Sequence, residues 1–98
     1  MKASIEMFGE TTEVVLEVKK YLAGGRPAIT AMCEDGPFGV VTVNDPDVLL
    51  GPGEILVKAW TENRWVTQLL EQLPEHFTDT GRRVSMGHAM AHIWKFKP

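Results

Sequence analysis

The stretch Arg82-Arg83-Val84-Ser85-Met86-Gly87-His88-Ala89-Met90-Ala91-His92-Ile93-Trp94-Lys95-Phe96 admits two structures with different chemistry. Coiled as a helix, it would set His88 and His92 about 6 Å apart on one face, where two imidazoles and nearby methionine thioethers could hold copper or zinc. Extended as a strand, it spreads the same histidines over about 13 Å, too far to share an ion. Val84, Met86, His88, Met90, His92, Trp94 and Phe96 recur with a period of two, and Gly87 weakens a helix. The segment is therefore expected to be one long final strand, bulged at Gly87. Its histidines then lie on a sheet face beside packing methionines, and no metal site is expected.

Upstream, Trp65, Val66, Leu69, Leu70 and Leu73 are spaced by three and four, leaving Arg64, Gln68, Glu71 and Gln72 outside one apolar stripe. Thr61 is placed to cap this helix, Glu62 falls in its first turn, and Pro74 stops it. The helix is expected over about 61–73.

The first half of the chain is patterned for strands. Ser4 to Phe8 alternates, Gly9-Glu10 interrupts, and Val14, Leu16 and Val18 alternate with Glu13, Glu17 and Lys19, which makes a hairpin. Ala23-Gly24-Gly25-Arg26-Pro27 is a turn, Ala28 to Cys33 a strand, Glu34-Asp35-Gly36-Pro37 a turn, and Phe38 to Val43 a strand. Asn44 to Gly53 is a long loop whose Val48-Leu49-Leu50 centre is expected to tuck against the core, and Ile55 to Trp60 is a further short strand. Asp79-Thr80-Gly81 is expected to be a turn. The fold class is α+β, mainly an antiparallel sheet of five to six strands with one long helix packed on one face, in the order β-β-β-β-(β)-α-β.

Ninety-eight residues suit a single domain spanning 1–98, with 44% hydrophobic and 23% charged residues, ordinary globular values. The apolar runs fall far short of the roughly 20 residues needed to cross a bilayer, and Met1 to Glu6 lacks a signal-peptide core, so a cytoplasmic protein without membrane contact is expected. The single cysteine, Cys33, cannot form an intrachain disulfide and is expected to be a small buried hydrophobe.

Net charge is −3, which disfavours direct nucleic-acid binding through phosphate neutralisation. Residues 1–54 carry nine acidic against four basic side chains, and residues 55–98 carry four against six. Between Pro27 and Val57 there is no Lys or Arg, while Glu34, Asp35, Asp45, Asp47 and Glu54 all fall there. These five residues form the candidate binding patch.

Catalytic arrangements find little support. Cys33, Ser4 and Ser85 sit in no motif that pairs a nucleophile with a base. Gly24-Gly25 lacks the Lys-Ser/Thr of a phosphate loop, and Asn44-Asp45-Pro46-Asp47 lacks the glycine and glutamate spacing of a calcium loop. Arg82-Arg83 with Lys95, Lys97 and Trp94 is the nearest approach to a nucleic-acid surface, and adjacent arginines on a strand point to opposite faces. No enzyme activity and no cofactor are expected. Of three tryptophans, Trp65 and Trp94 are expected in the core, and Trp60, at the strand-to-helix joint, is the candidate exposed anchor.

Cys33-Glu34-Asp35-Gly36-Pro37-Phe38, Val41-Thr42-Val43-Asn44, Thr61-Glu62-Asn63 and Asp79-Thr80-Gly81-Arg82-Arg83-Val84-Ser85-Met86-Gly87 together resemble the bacterial family called domain of unknown function 4313. The resemblance runs from about Glu13 to Trp94. It implies a small accessory protein of a phage, plasmid or integrated element, working by contact with a host protein or protein–nucleic acid complex. An inhibitor of a host defence system such as CRISPR or restriction fits that context. The alternative is a structural or assembly module that homodimerises through a sheet edge.

Overall fold

The computed structural model describes residues 1–60 and 63–98. Its elements are β1 (Lys2–Met7), β2 (Glu10–Lys20), β3 (Pro27–Cys33), β4 (Gly36–Val40), β5 (Glu54–Val57), α1 (Arg64–Glu71), β6 (Phe77–Met86) and β7 (Ala89–Phe96). The class is α+β, with antiparallel strands in two sheets ordered β1-β2-β3-β4 and β5-β7-β6.

The two sheets meet where the chain leaves β4. Thr42 bridges to Val57, and the Val43 and Lys58 amides donate to the Leu56 and Val41 carbonyls. Helix α1 packs on β1 and touches β6, the outermost strands of the two sheets, so it fills the gap opposite the bridge. Ile5, Val14, Leu16, Ile29 and Ala31 from the first sheet, with Val41 just beyond β4, meet Ile55, Val57, Trp94 and Phe96 from the second, and Trp65, Val66, Leu69 and Leu70 of α1 close over them. The other face of the second sheet is covered by the long loop: Val43, Val48 and Leu50 pack on Leu56, Ala91 and Ile93, whereas Leu49, expected to tuck in with its neighbours, is 91% exposed.

Seven strands are present where five to six were expected. The long terminal strand is a hairpin, β6–β7, whose two-residue connection Gly87-His88 joins Met86 to Ala89. Gly87 supplies the positive φ of 66° that this tight turn needs at its first position. The turn changes which residues share a face. Val84 and Met86 line up with Ala91 on one side, and Met90, His92, Trp94 and Phe96 lie on the other. Asp79-Thr80-Gly81 is likewise no turn between elements. It lies inside β6, where the ladder shifts register between Asp79 and Arg83.

The helix is short, eight residues, instead of spanning about 61–73. Its last amides, those of Gln72 and Leu73, bond three residues back to Leu69 and Leu70, a tightening of the final turn that ends the α geometry before Pro74. The expected cap Thr61 and the first-turn Glu62 lie outside the described residues. Asn63 takes the N-cap position with no side-chain cap bond. One close approach fixes how the helix seats: a Cβ on Gly39 would lie 2.6 Å from Cζ2 of Trp65, so only glycine lets β4 pass under the indole. Phe38 then meets Trp65 edge to face at 5.1 Å.

Candidate functional site: an open strand edge beside an acidic turn

Strand β2 has 11 residues and its neighbour β3 has seven. Glu10 to Val14 pair with β1, Val15 to Lys20 pair with β3, and β3 ends at the Glu34-Asp35 turn. The first half of β2 therefore has no strand on its β3 side.

The direction of its backbone groups follows from neighbouring bonds. The Leu16 amide donates to Met1 on the β1 side, and the Tyr21 amide donates to Arg26 on the β3 side. Because successive peptide groups of a strand alternate in direction, Thr11 and Glu13 direct their N–H and C=O toward the side that β3 vacates. The far side agrees: Ser4 and Glu6, the β1 partners of Glu13 and Thr11, send their amides away from β2 to Gln72, the C-cap of α1, and Gln68 within it, each at 3.0 Å.

A groove of about 890 Å³ lies along this part of the sheet, lined among others by Lys2, Ser4, Thr11, Glu13, Val15, Met32, Glu34 and Asp35. Glu13, Glu34 and Asp35 are exposed, and Lys2 is the single cation of the lining, so the groove is net acidic. Val15 and Val40 are 45% and 42% exposed, and both lie on the face of the four-stranded sheet that no described element covers. The turn itself is held by the half-buried Cys33, whose thiol donates to the Gly36 carbonyl at 3.2 Å.

The five acidic residues of the candidate patch do not come together. Glu34 and Asp35 are at the C-terminal end of β3. Asp45 and Asp47 belong to the other end, about 20 Å away along the strand, where Arg26 donates to the carbonyls of Asp45 and Val48. The Asp45 carboxylate accepts the Asp47 amide at 3.1 Å. Glu54 is spent on structure: its side chain is 8% exposed, accepts the Gly51 amide at 2.7 Å and pairs with Arg82. Trp60 is half-buried with Lys58 Nζ 5.9 Å from its ring centroid, and it is not among the groove lining.

The histidines occupy unrelated settings. His88 is exposed in the β6–β7 turn, and His76 Nδ1 lies 2.8 Å from the Lys97 carbonyl. His92 is half-buried opposite Arg83; burial, then the guanidinium charge, pushes its pKa below the usual imidazole value. Asp79 spans the β6 irregularity, accepting two bonds from Arg83 at 3.0 Å and the Gly81 amide at 2.9 Å, and the Arg83 bond holds its carboxyl below the ordinary range. Among the described residues, no cluster of three or more His, Cys, Asp or Glu is placed to hold a metal ion, and no helix is long and apolar enough to cross a membrane.

Thr11 and Glu13 carry no motif and were not singled out from the sequence. The signal that finds them is a count between turns: β2 runs 11 residues and the next strand only seven. Comparison with family models, with curated proteins and with solved structures finds no match to this chain.

Proposed function

We propose that this protein is a non-catalytic binding module that works by occupying a surface of a host protein or protein–nucleic acid complex. The observation that carries this reading is the groove beside β2, where an unpaired strand edge, exposed valine and three carboxylates adjoin. A net-acidic contact surface favours a partner with a basic one, and such complementarity speeds and orients the encounter. The resemblance of the turn and strand motifs to domain of unknown function 4313 supports the biological setting: an accessory protein of a phage or plasmid that blocks a defence complex such as CRISPR or restriction, whose nucleic-acid grooves are basic. The homodimer reading gains no support at the β1 edge, which α1 covers with two glutamine side chains.

The test is capture from a host lysate on immobilised protein, followed by mass spectrometry, beside the charge-reversed Glu34→Lys/Asp35→Lys variant. Both substitutions are in an exposed turn and leave the core untouched. The expected result is a defence component retained by the native surface and lost from the variant, with matching protection of phage or plasmid on expression. Recovery of no such component together with no protection rejects the proposal.

A further inference from the structure

Two sheet edges of this molecule are treated differently. On β1, the outward Ser4 and Glu6 amides are bonded by the Gln72 and Gln68 side chains. On β2, no described residue bonds the outward groups of Thr11 and Glu13, and the groove lies alongside them. Unpaired edge groups are a template for another strand, and folds with no use for such an edge cover it, bulge it or charge it with lysine. Here the open segment Glu10–Val14 carries no lysine, its two charges being Glu10 and Glu13, and β2 is regularly paired to β1 throughout it.

The geometry points to β-strand addition: the protein binds an extended, basic segment of its partner as an extra strand against Thr11–Glu13, in line with β3 and antiparallel to β2. This deepens the binding proposal above and rests on it. The outward N–H and C=O of Thr11 and Glu13 offer two donors and two acceptors, enough for two exchanged pairs of bonds with residues two apart in the guest. Guest residues opposite Thr11 and Glu13 project onto the same open face as those side chains. A Lys or Arg opposite Glu13 then meets its carboxylate directly across the strands, and the exposed Glu34 and Asp35 side chains stand at the guest's end. The alternate guest residues point toward Thr12 and the core side, where small or β-branched side chains fit. The recognised segment is therefore basic at every second position and uncharged between.

The direct test uses an acetylated, amidated peptide of eight residues alternating Lys with Thr or Val, and the same peptide with Glu for Lys, titrated into isotope-labelled protein and followed by amide NMR. The expected result is a shift of the Thr11 and Glu13 amides with at least tenfold slowing of their hydrogen exchange by the lysine peptide, and neither change with the glutamate peptide. Glu13→Pro supplies the second arm: it removes the outward N–H together with the carboxylate, edge positions of that kind tolerate proline, and comparison with Glu13→Gln separates the N–H from the charge. That variant is expected to keep the dispersed spectrum of the folded chain and lose peptide binding at least tenfold. Glu13→Gln, which keeps the backbone, is expected to weaken binding less than the proline. Unchanged exchange at Thr11 and Glu13, or equal binding by a folded Glu13→Pro variant, overturns strand addition. A lysate partner captured equally by Glu13→Pro overturns it too while leaving the binding-module reading intact, whereas capture of nothing by either protein rejects that reading.

Discussion

The side chain of Gln72 pairs with the backbone of Ser4 as a neighbouring strand would. Its Oε1 accepts the Ser4 amide at 3.0 Å and its Nε2 donates to the Ser4 carbonyl at 2.6 Å. Gln68 repeats half of the pattern one turn earlier, accepting the Glu6 amide at 3.0 Å. The match is one of repeat lengths: four residues of helix rise about 6 Å and two residues of strand advance about 6.7 Å, so Gln68 of α1 and Gln72 at its C-cap meet alternate amides of β1.

Replacing both glutamines by alanine should unsatisfy this edge. Each lost bond is expected to cost about 1 kcal/mol, read as a lower urea midpoint with little change in slope. The exposed β1 edge should then pair between molecules, so the double variant is expected to show a mass that rises with concentration in light scattering where the parent does not. A double variant as stable as the parent would show that these bonds merely replace equivalent ones to water.

Gly39 and Trp65 make a second test of how the helix seats. A methyl group at position 39 would press on Cζ2 of an indole that is only 9% exposed and already packed against Phe38. Gly39→Ala is expected to destabilise by about 1–3 kcal/mol, the usual cost of overpacking. Adding Trp65→Phe, which withdraws the crowding ring edge, should recover part of the Gly39→Ala penalty, so the double-mutant cycle should show clear coupling in thermal or urea unfolding.

Much of the fold could be read from residue patterns. Val14 and Leu16, Ile29 and Ala31, and the Trp65-Val66-Leu69-Leu70 stripe are buried as alternation and helical spacing require. The β6–β7 hairpin was not legible, and the reason lies in β7: Ala91 and Ile93 are buried on one face, Trp94 and Phe96 on the other. A strand covered on both sides has apolar residues at both parities, so nothing marks the change of parity at Gly87-His88. The acidic stretch is divided in space for a different reason. Composition located five carboxylates in one base-free stretch, but β3 carries Glu34 and Asp35 to one of its ends while Asp45 and Asp47 are tied to the other, and Glu54 turns to Arg82. Adjacency in sequence was lost in a strand's length.

Thr42 stands where the two sheets join, 2% exposed, and its hydroxyl oxygen accepts the Ile29 amide at 3.0 Å while hydrogen-bonding Tyr21 OH at 2.8 Å. Thr42→Val keeps the shape and strands a buried amide, so it should cost about 1–3 kcal/mol; Tyr21→Phe removes one partner of a half-exposed bond and should cost about 1 kcal/mol. Since both act on one hydroxyl, the double variant is expected to fall short of the sum by an amount a double-mutant cycle resolves. Additive losses would mean that the two bonds are independent and that the joint is not a single polar unit.

His92 and Asp79 lie on neighbouring strands and give stability a pH dependence with two separate ranges. Both pKa values are depressed in the folded chain, His92 by burial and then Arg83, Asp79 by its bonds from Arg83 and Gly81 against an opposing effect of burial. In each case the unfolded chain takes up a proton at a higher pH than the folded one, and stability rises with pH wherever the unfolded state holds more protons. The His92 contribution is therefore complete above the ordinary imidazole value of 6.5 and declines as pH falls from there toward the lower folded value. The Asp79 contribution is complete above 3.8 and declines only in stronger acid, as pH falls through its folded value. Urea midpoints measured from pH 8 to pH 3 should thus fall in two steps. His92→Gln is expected to flatten the neutral step and leave the acid one, and Asp79→Asn to lower stability at neutral pH while flattening the acid step. If His92→Gln leaves the profile between pH 7.5 and pH 5 superimposable on the parent's, the imidazole is not the group whose burial sets that range.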